Sequence, residues 1–326
     1  MGRDQVFVTR ELPPKMLGKL AEHCDVEVWD EFLPPDYEII LDKIGGLAGL
    51  LCLLTDRIDA QLMDAAPDIK VISNLAVGYD NIDIPAATQR GIPIGNTPGV
   101  LNETTADFAF ALLMATARRI PEARQYIHDG KWLTWHPTVL SGQDVFGATL
   151  GIIGCGRIGA AVMRRASGFG MRVLVNSLES ADEIQQLGGE KVSLDELLSQ
   201  SDFVSLHVPL TEETHHLIGE RELKQMKPTA ILINTARGSV LDPEALYTAL
   251  RDGEILAAGL DVTEPEPIPL DDLLLSLENC LIVPHIASAS VATRTKMAEM
   301  AVDNVIAGLR GQALPTCVNP EVYQRG

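Results

Sequence analysis

The sequence has no C-x-x-C pair, and its five cysteines, Cys24, Cys52, Cys155, Cys280 and Cys317, are scattered. An odd, unpaired set of this kind excludes a disulfide framework and a cysteine-based zinc site, and it predicts reduced thiols with no metal. Long apolar runs are missing too. The most apolar stretch, Gly45 to Leu54, is far short of the roughly 20 residues that span a bilayer, and reads as a buried strand. The first residues carry neither a signal-peptide pattern nor, with Val6 at the sixth position, a myristoylation pattern, so the expected compartment is the cytoplasm. Positive charge is scarce as well: 26 basic against 45 acidic residues, a net charge of −19. Such a surface repels phosphate backbones and anionic lipid. Nucleic acid and membrane are therefore excluded as partners, and an anionic small substrate needs a locally basic pocket.

What is present is alternation. Short β-branched runs at 6–9, 26–29, 50–54 and 70–73, and again at 149–153, 172–176, 203–206, 230–234, 257–260 and 281–283, are separated by helical patterns. This predicts two α/β units built on parallel sheets, each within the usual domain size for 326 residues. A helical stretch from about 102 to 127 bridges them, with Asn102 or Thr104 as a candidate cap and Pro121 expected to kink or split it near Ile120. A loop with Trp132 and Trp135 follows, and a last helix is expected over about 290–309.

The sharpest local pattern is Gly154-Cys155-Gly156-Arg157-Ile158-Gly159. It follows an apolar strand and opens a helix, the context in which G-x-G-x-x-G lets a backbone approach a pyrophosphate at the positive end of a helix. At the end of the next strand, where an acid would accept from ribose hydroxyls, stands Ser177. Glu179 and Asp182 are close and no basic residue follows before Lys191, which favours NAD(H) over NADP(H).

Arg237 stands just beyond the strand 230–234, where open parallel sheets bind ligands, and an Arg there can hold a carboxylate by a bidentate pair. His285 follows the strand 281–283, and Glu264 and Glu266 follow 257–260. Reduction of a ketone needs a proton donor, and imidazole suits the task, with a carboxylate to fix its ring. Spacing does not choose His285 over the other six histidines, nor Glu266 over Glu264. Asp261 could accept from a nicotinamide carboxamide or cap a turn.

At these residues the chain resembles the D-2-hydroxy-acid dehydrogenase family, and most of all its glyoxylate and hydroxypyruvate reductase branch. The likeness runs in order along nearly the whole chain: Val77-Gly78-Tyr79-Asp80-Asn81-Ile82-Asp83, the glycine turn, Asn234-Thr235-Ala236-Arg237-Gly238, the segment 259–267, Pro284-His285-Ile286 and Leu314-Pro315-Thr316. It implies that Arg237 binds the substrate carboxylate, that His285 is the acid/base, and that Glu266 rather than Glu264 is its partner. It implies backbone contacts to substrate at Val77 and Gly78, a substrate-side Ser288, and cofactor contacts at Gly154, Gly156, Arg157, Ile158, Gly159, Ser177, Pro209, Thr235, Ala236 and Asp261. It also implies that a dinucleotide-binding domain, 103–289, is inserted in a substrate-binding domain, 1–102 with 290–326, with the active site in a cleft that closes to exclude water. A homodimer is implied through the 102–127 helix and the Trp132/Trp135 segment, where an aromatic ring can reach the partner's site. The branch often places an Arg soon after the strand ending at Asn176, and its better-known members prefer NADPH; here Leu178 and Glu179 depart from that pattern. The expected reaction is reduction of glyoxylate or hydroxypyruvate to glycolate or D-glycerate. The alternatives are a relative acting on 3-phosphoglycerate, lactate or a bulkier keto acid, formate oxidation (disfavoured because that branch pairs its His with Gln), or a dinucleotide-sensing scaffold of the co-repressor type.

Overall fold

The computed structural model describes residues 2–324. The chain divides into two compact units, one made of the residues up to Leu101 together with those from Ser290 onward, the other of Asn102–Ala289. The second is thus inserted in the first.

In the first unit the described strands are β1 (Gln5–Val8), β2 (Asp25–Val28), β3 (Gly49–Cys52), β4 (Val71–Asn74) and β5 (Ile94–Gly95), all parallel, in the order β2-β1-β3-β4-β5. β3 and β4 are buried along their whole length, as apolar strands covered by helices on both faces must be. The helix Val291–Leu309, capped by Ser290, packs across β3 and β4. Its approach is close enough that a β-carbon on Gly308 would fall 2.3 Å from the Val71 β-carbon. Three buried side chains tie this returning segment to the sheet. Ser73 Oγ donates to Ala301 O (2.9 Å), Asn304 Nδ2 donates to Asn96 O (3.1 Å), and Asn319 Oδ1 accepts from Ile94 N (2.8 Å).

In the second unit the described strands are β6 (Thr149–Ile153), β7 (Arg172–Asn176), β8 (Glu190–Lys191), β9 (Phe203–Leu206), β10 (Ile231–Asn234), β11 (Ala257–Leu260) and β12 (Cys280–Ile282). They are parallel and ordered β12-β11-β10-β9-β6-β7-β8, the doubly wound arrangement in which the strand order reverses between β6 and β9. Ligands bind such sheets at the carboxyl ends beside that switch point. The glycine turn sits there.

The stretch expected as one long helix is two. Asn102–Ala117 ends before Arg119, which takes a left-handed conformation (φ 53°), and Pro121 lies in the first turn of Ile120–His128. A proline is tolerated there because the N–H it lacks would have had no helical partner. The first of the two helices belongs to the core of its own unit: Ala106, Phe110, Leu113 and Ala117 are buried and Phe110 stacks on Phe169 at 5.4 Å. The second buries no residue. β5 and β8, of two residues each, lie outside the strands that the sequence predicts.

Candidate active site

The glycine turn has the shape that dinucleotide binding requires. Gly154 adopts φ 90°, closed to side-chain-bearing residues without strain. A β-carbon on Gly159 would lie 2.1 Å from Gly154 O, so the helix Arg157–Gly168 reaches the strand end only because that side chain is missing. Gly156 and Arg157 are exposed at the helix start and Ile158 is half-buried. Ser177, at the end of β7, closes the turn by accepting from Cys155 N (2.8 Å), and its hydroxyl donates to the Glu179 carboxylate. Lys191, distant in sequence, donates to Glu179 O (2.5 Å). A cation therefore lies nearer this corner than the sequence suggested, although it is engaged by a carbonyl. His207, just beyond β9, puts its backbone against Gly154 and its Nε2 2.8 Å from Ser205 Oγ. Burial pulls this imidazole down to about 4, so it is neutral at neutral pH. Pro209 starts the following exposed loop, and its carbonyl accepts from Thr214 Oγ1 (2.6 Å).

Beyond β10, buried Asn234 builds the turn that carries Arg237. Its amide donates to Arg237 O (2.8 Å) and its oxygen accepts from Ala236 N (3.0 Å). Thr235 buries its hydroxyl with no hydrogen-bond partner among the described residues. An orphaned polar atom at the carboxyl edge of this sheet is what a ligand-binding position leaves behind. Arg237 Nη1 donates to Ala236 O (2.9 Å). The next residue, Gly238, admits the 261–267 segment: a β-carbon there would meet Thr263 O at 1.9 Å.

That segment separates the two glutamates, which the sequence could not. Glu264 accepts from Ser239 Oγ (2.7 Å) and pairs with His216 Nε2 (2.8 Å). Burial alone would raise its carboxyl, but these bonds and the two nearby histidines together hold it below the usual range. Glu266 Oε1 lies 2.5 Å from His285 Nδ1, with about a third of the Glu side chain and a quarter of the His side chain exposed.

His285 is held by its backbone as well. It takes φ 52°, uncommon for a residue with a side chain. Such a conformation persists only where the surroundings over-determine it. Here His285 N donates to Asp261 O (2.9 Å), Ile286 N to Asp261 Oδ1 (2.7 Å) and Ala287 N to Asp261 Oδ2 (2.9 Å). Asp261 is 1 % exposed. Burial pushes its carboxyl up, with the Glu266 charge adding, against the pull of the two N–H groups and His285. Sequence reasoning leaves Asp261 between a nicotinamide contact and a turn cap. It misses this clamp, whose partners lie 25 and 26 residues away. Ser288 is half-buried in the same loop.

Val77 and Gly78 belong to the first unit, beyond β4. Their carbonyls accept from Asn96 Nδ2 (2.9 Å) and Asn74 Nδ2 (3.0 Å), which fixes the orientation of the segment. Trp132 (65 % exposed) and Trp135 (81 %) stand in solvent with Leu133 and Ile127. No described helix is long and apolar enough to cross a membrane, and all five cysteines are free thiols.

Comparison with known proteins agrees with this geometry. The family model for the D-isomer specific 2-hydroxyacid dehydrogenase NAD binding domain matches residues 110–287. A glyoxylate reductase of Korarchaeum cryptofilum is 56% identical over 99% of this chain and 98% of its own. Among solved structures, a protein of Thermus thermophilus superposes with a TM-score of 0.91 at 48% identity, covering 96% of this chain and 99% of that one. An NADPH-dependent glyoxylate/hydroxypyruvate reductase of Sinorhizobium meliloti, solved with NADP and malonate, gives 0.87 at 33% identity over 98% of each chain.

Proposed function

This chain belongs to the D-isomer specific 2-hydroxyacid dehydrogenase family, and from that premise we propose that it reduces glyoxylate or hydroxypyruvate, giving glycolate or D-glycerate, with hydride from a reduced nicotinamide dinucleotide. The observation that carries the reading is the clamped His285–Glu266 pair at the carboxyl edge of a doubly wound sheet.

The second unit carries the dinucleotide, and the backbone N–H groups around Val77 and Gly78 are the substrate contacts that the family resemblance implies. The residues of the glycine turn fit the dinucleotide: Gly154, Gly156 and the start of the helix Arg157–Gly168 would hold its pyrophosphate, and Arg157, Ile158, Ser177, Pro209, Thr235, Ala236 and Asp261 would supply further contacts to it. Bound there, the nicotinamide supplies the hydride. Arg237 holds the substrate carboxylate as a planar, permanently charged fork and polarises the keto oxygen. His285, with Nδ1 committed to Glu266, presents Nε2 and delivers the proton to the oxygen as charge develops on it. Glu266 stabilises the imidazolium from which the proton leaves and keeps the ring from turning. Ser288 lies on the substrate side. The Glu179 carboxylate beside Ser177 disfavours a 2′-phosphate and supports NAD(H), as does the presence of Leu178 where the branch often has an Arg. The exposed apolar surface of Ile120–His128 and the Trp132/Trp135 segment supports a homodimer, and the free thiols support a cytoplasmic setting.

The test is a keto-acid panel run with NADH and with NADPH, following loss of the reduced nicotinamide absorbance. Turnover of glyoxylate or hydroxypyruvate is expected, and its absence with every keto acid overturns the reading. His285→Ala should lower kcat by about a hundredfold or more while a fluorescence titration still shows dinucleotide binding.

A further inference from the structure

We propose that His215, His216 and Glu264 form a binding site for one divalent transition-metal ion of the zinc class, between the loop that follows β9 and the loop that carries Glu266. Consecutive residues in an extended or helical segment point their side chains apart. Here His216 takes φ 48°, and the two imidazoles come to lie side by side, stacked with centroids 4.0 Å apart and 25° between their planes. Both face one carboxylate: His216 Nε2 is 2.8 Å from Glu264 Oε2, and His215 Nε2 is 3.9 Å from Glu264 Oε1.

Two imidazoles and a carboxylate are a donor set that zinc accepts, with its remaining positions left to water. Ligand atoms bound tetrahedrally to one zinc at about 2.0–2.2 Å lie about 3.3–3.6 Å from one another. The three side chains offer donor atoms within 4.8 Å of one another, so closure by about 1–1.5 Å completes the set. His215 can supply it, because its side chain is 52 % exposed and not packed in the core.

The supports beneath the donors are firm. His215 N donates to Thr211 O (3.0 Å) and His216 N to Ser239 O (2.8 Å). Ser239 Oγ fixes the second Glu264 oxygen at 2.7 Å. A hydrogen-bonded second layer of this kind orients ligands and raises metal affinity. The net charge of −19 draws cations to the surface. The proposal is independent of the catalytic reading, because it concerns ligand atoms the proposed reaction does not use.

The experiment is calorimetric titration of the tag-free full chain with zinc chloride alone, repeated with His215→Phe. The phenyl ring preserves the stack on His216 and removes the ligand nitrogen. Wild type should bind one zinc that His215→Phe binds roughly tenfold or more weakly. Zinc should raise the Tm of wild type and leave that of the variant nearly unchanged. Cobalt should give a visible ligand-field spectrum that the variant lacks. Equal zinc affinity in the two proteins, or no stoichiometric binding by wild type, overturns the site. Reductase activity without added metal should be the same in both proteins, so failure of this site is distinguishable from failure of the proposed reaction.

Discussion

Asp261→Asn is the substitution that most directly tests how the site is held. The native carboxylate accepts Ile286 N at 2.7 Å and Ala287 N at 2.9 Å with 1 % exposure. The amide keeps one acceptor oxygen and turns an NH2 group toward the other N–H, leaving a buried donor unpaired. Hydrogen bonds to a buried charge contribute about 1.5–3 kcal/mol each, and an unpaired buried donor costs about 1–3 kcal/mol. Against this, a neutral group is easier to bury than the carboxylate whose ionisation burial already opposes. A net weakening of the His285 loop by about 2 kcal/mol follows, which is about a thirtyfold rise in local opening. Amide hydrogen exchange in a peptide covering 284–289 reads that opening directly. Because His285 relaxes from its left-handed conformation when the clamp loosens, kcat should fall by no more than about thirtyfold, the limit set by the same ~2 kcal/mol. Unchanged exchange protection in 284–289, with a loss confined to dinucleotide affinity, would mean that Asp261 acts on the cofactor and not on the loop, and the reasoning would fail.

Three further outcomes are expected. His207 is held at about 4 against an ordinary 6.5. The folded state binds this proton less readily than the unfolded one, so its contribution is complete above pH 6.5 and is lost as pH falls toward 4. The gap corresponds to at most about 3 kcal/mol, less because the ring keeps some solvent access. Urea unfolding of wild type and His207→Gln at pH 7.5 and pH 4.5 should show the variant flatter, and parallel losses would refute it. Gly159→Ala places a methyl 2.1 Å from Gly154 O; a loss of about 1–3 kcal/mol in stability and of dinucleotide binding is expected, whereas an unchanged Tm would contradict the close approach. Glu179→Arg should shift the NADPH-to-NADH ratio of kcat/KM by about tenfold or more toward NADPH, the effect of about 1.4 kcal/mol; a constant ratio would remove Glu179 from cofactor selection.

Much of the fold is written in local pattern. Fully buried parallel strands need continuous apolar runs, and runs such as Gly49–Cys52 and Ile231–Asn234 announce themselves. β5 and β8 do not, because two residues show no periodicity. Pro121 marks the break between two helices, but only packing shows that Asn102–Ala117 buries its apolar side in its own unit. Strand ends direct attention to Arg237 and His285. Glu264 and Glu266 stand in identical Glu-Pro contexts, and what distinguishes them, His216 and Ser239 for one and His285 for the other, lies 19 to 48 residues away. The adjacent pair His215-His216 is the one visible hint of a second polar cluster.

The insertion has a consequence for how the protein is made. The sheet β1–β5 leaves the ribosome first, yet the helix that covers β3 and β4 begins only at Val291. Between them lie the 188 residues of Asn102–Ala289, roughly 10–40 s of synthesis at typical rates. During that interval the apolar faces of Val71–Asn74 and Gly49–Cys52 wait uncovered, while the contiguous second unit can complete its own core. Newly made chains should therefore expose the first unit to chaperones and proteases long after the second has become resistant.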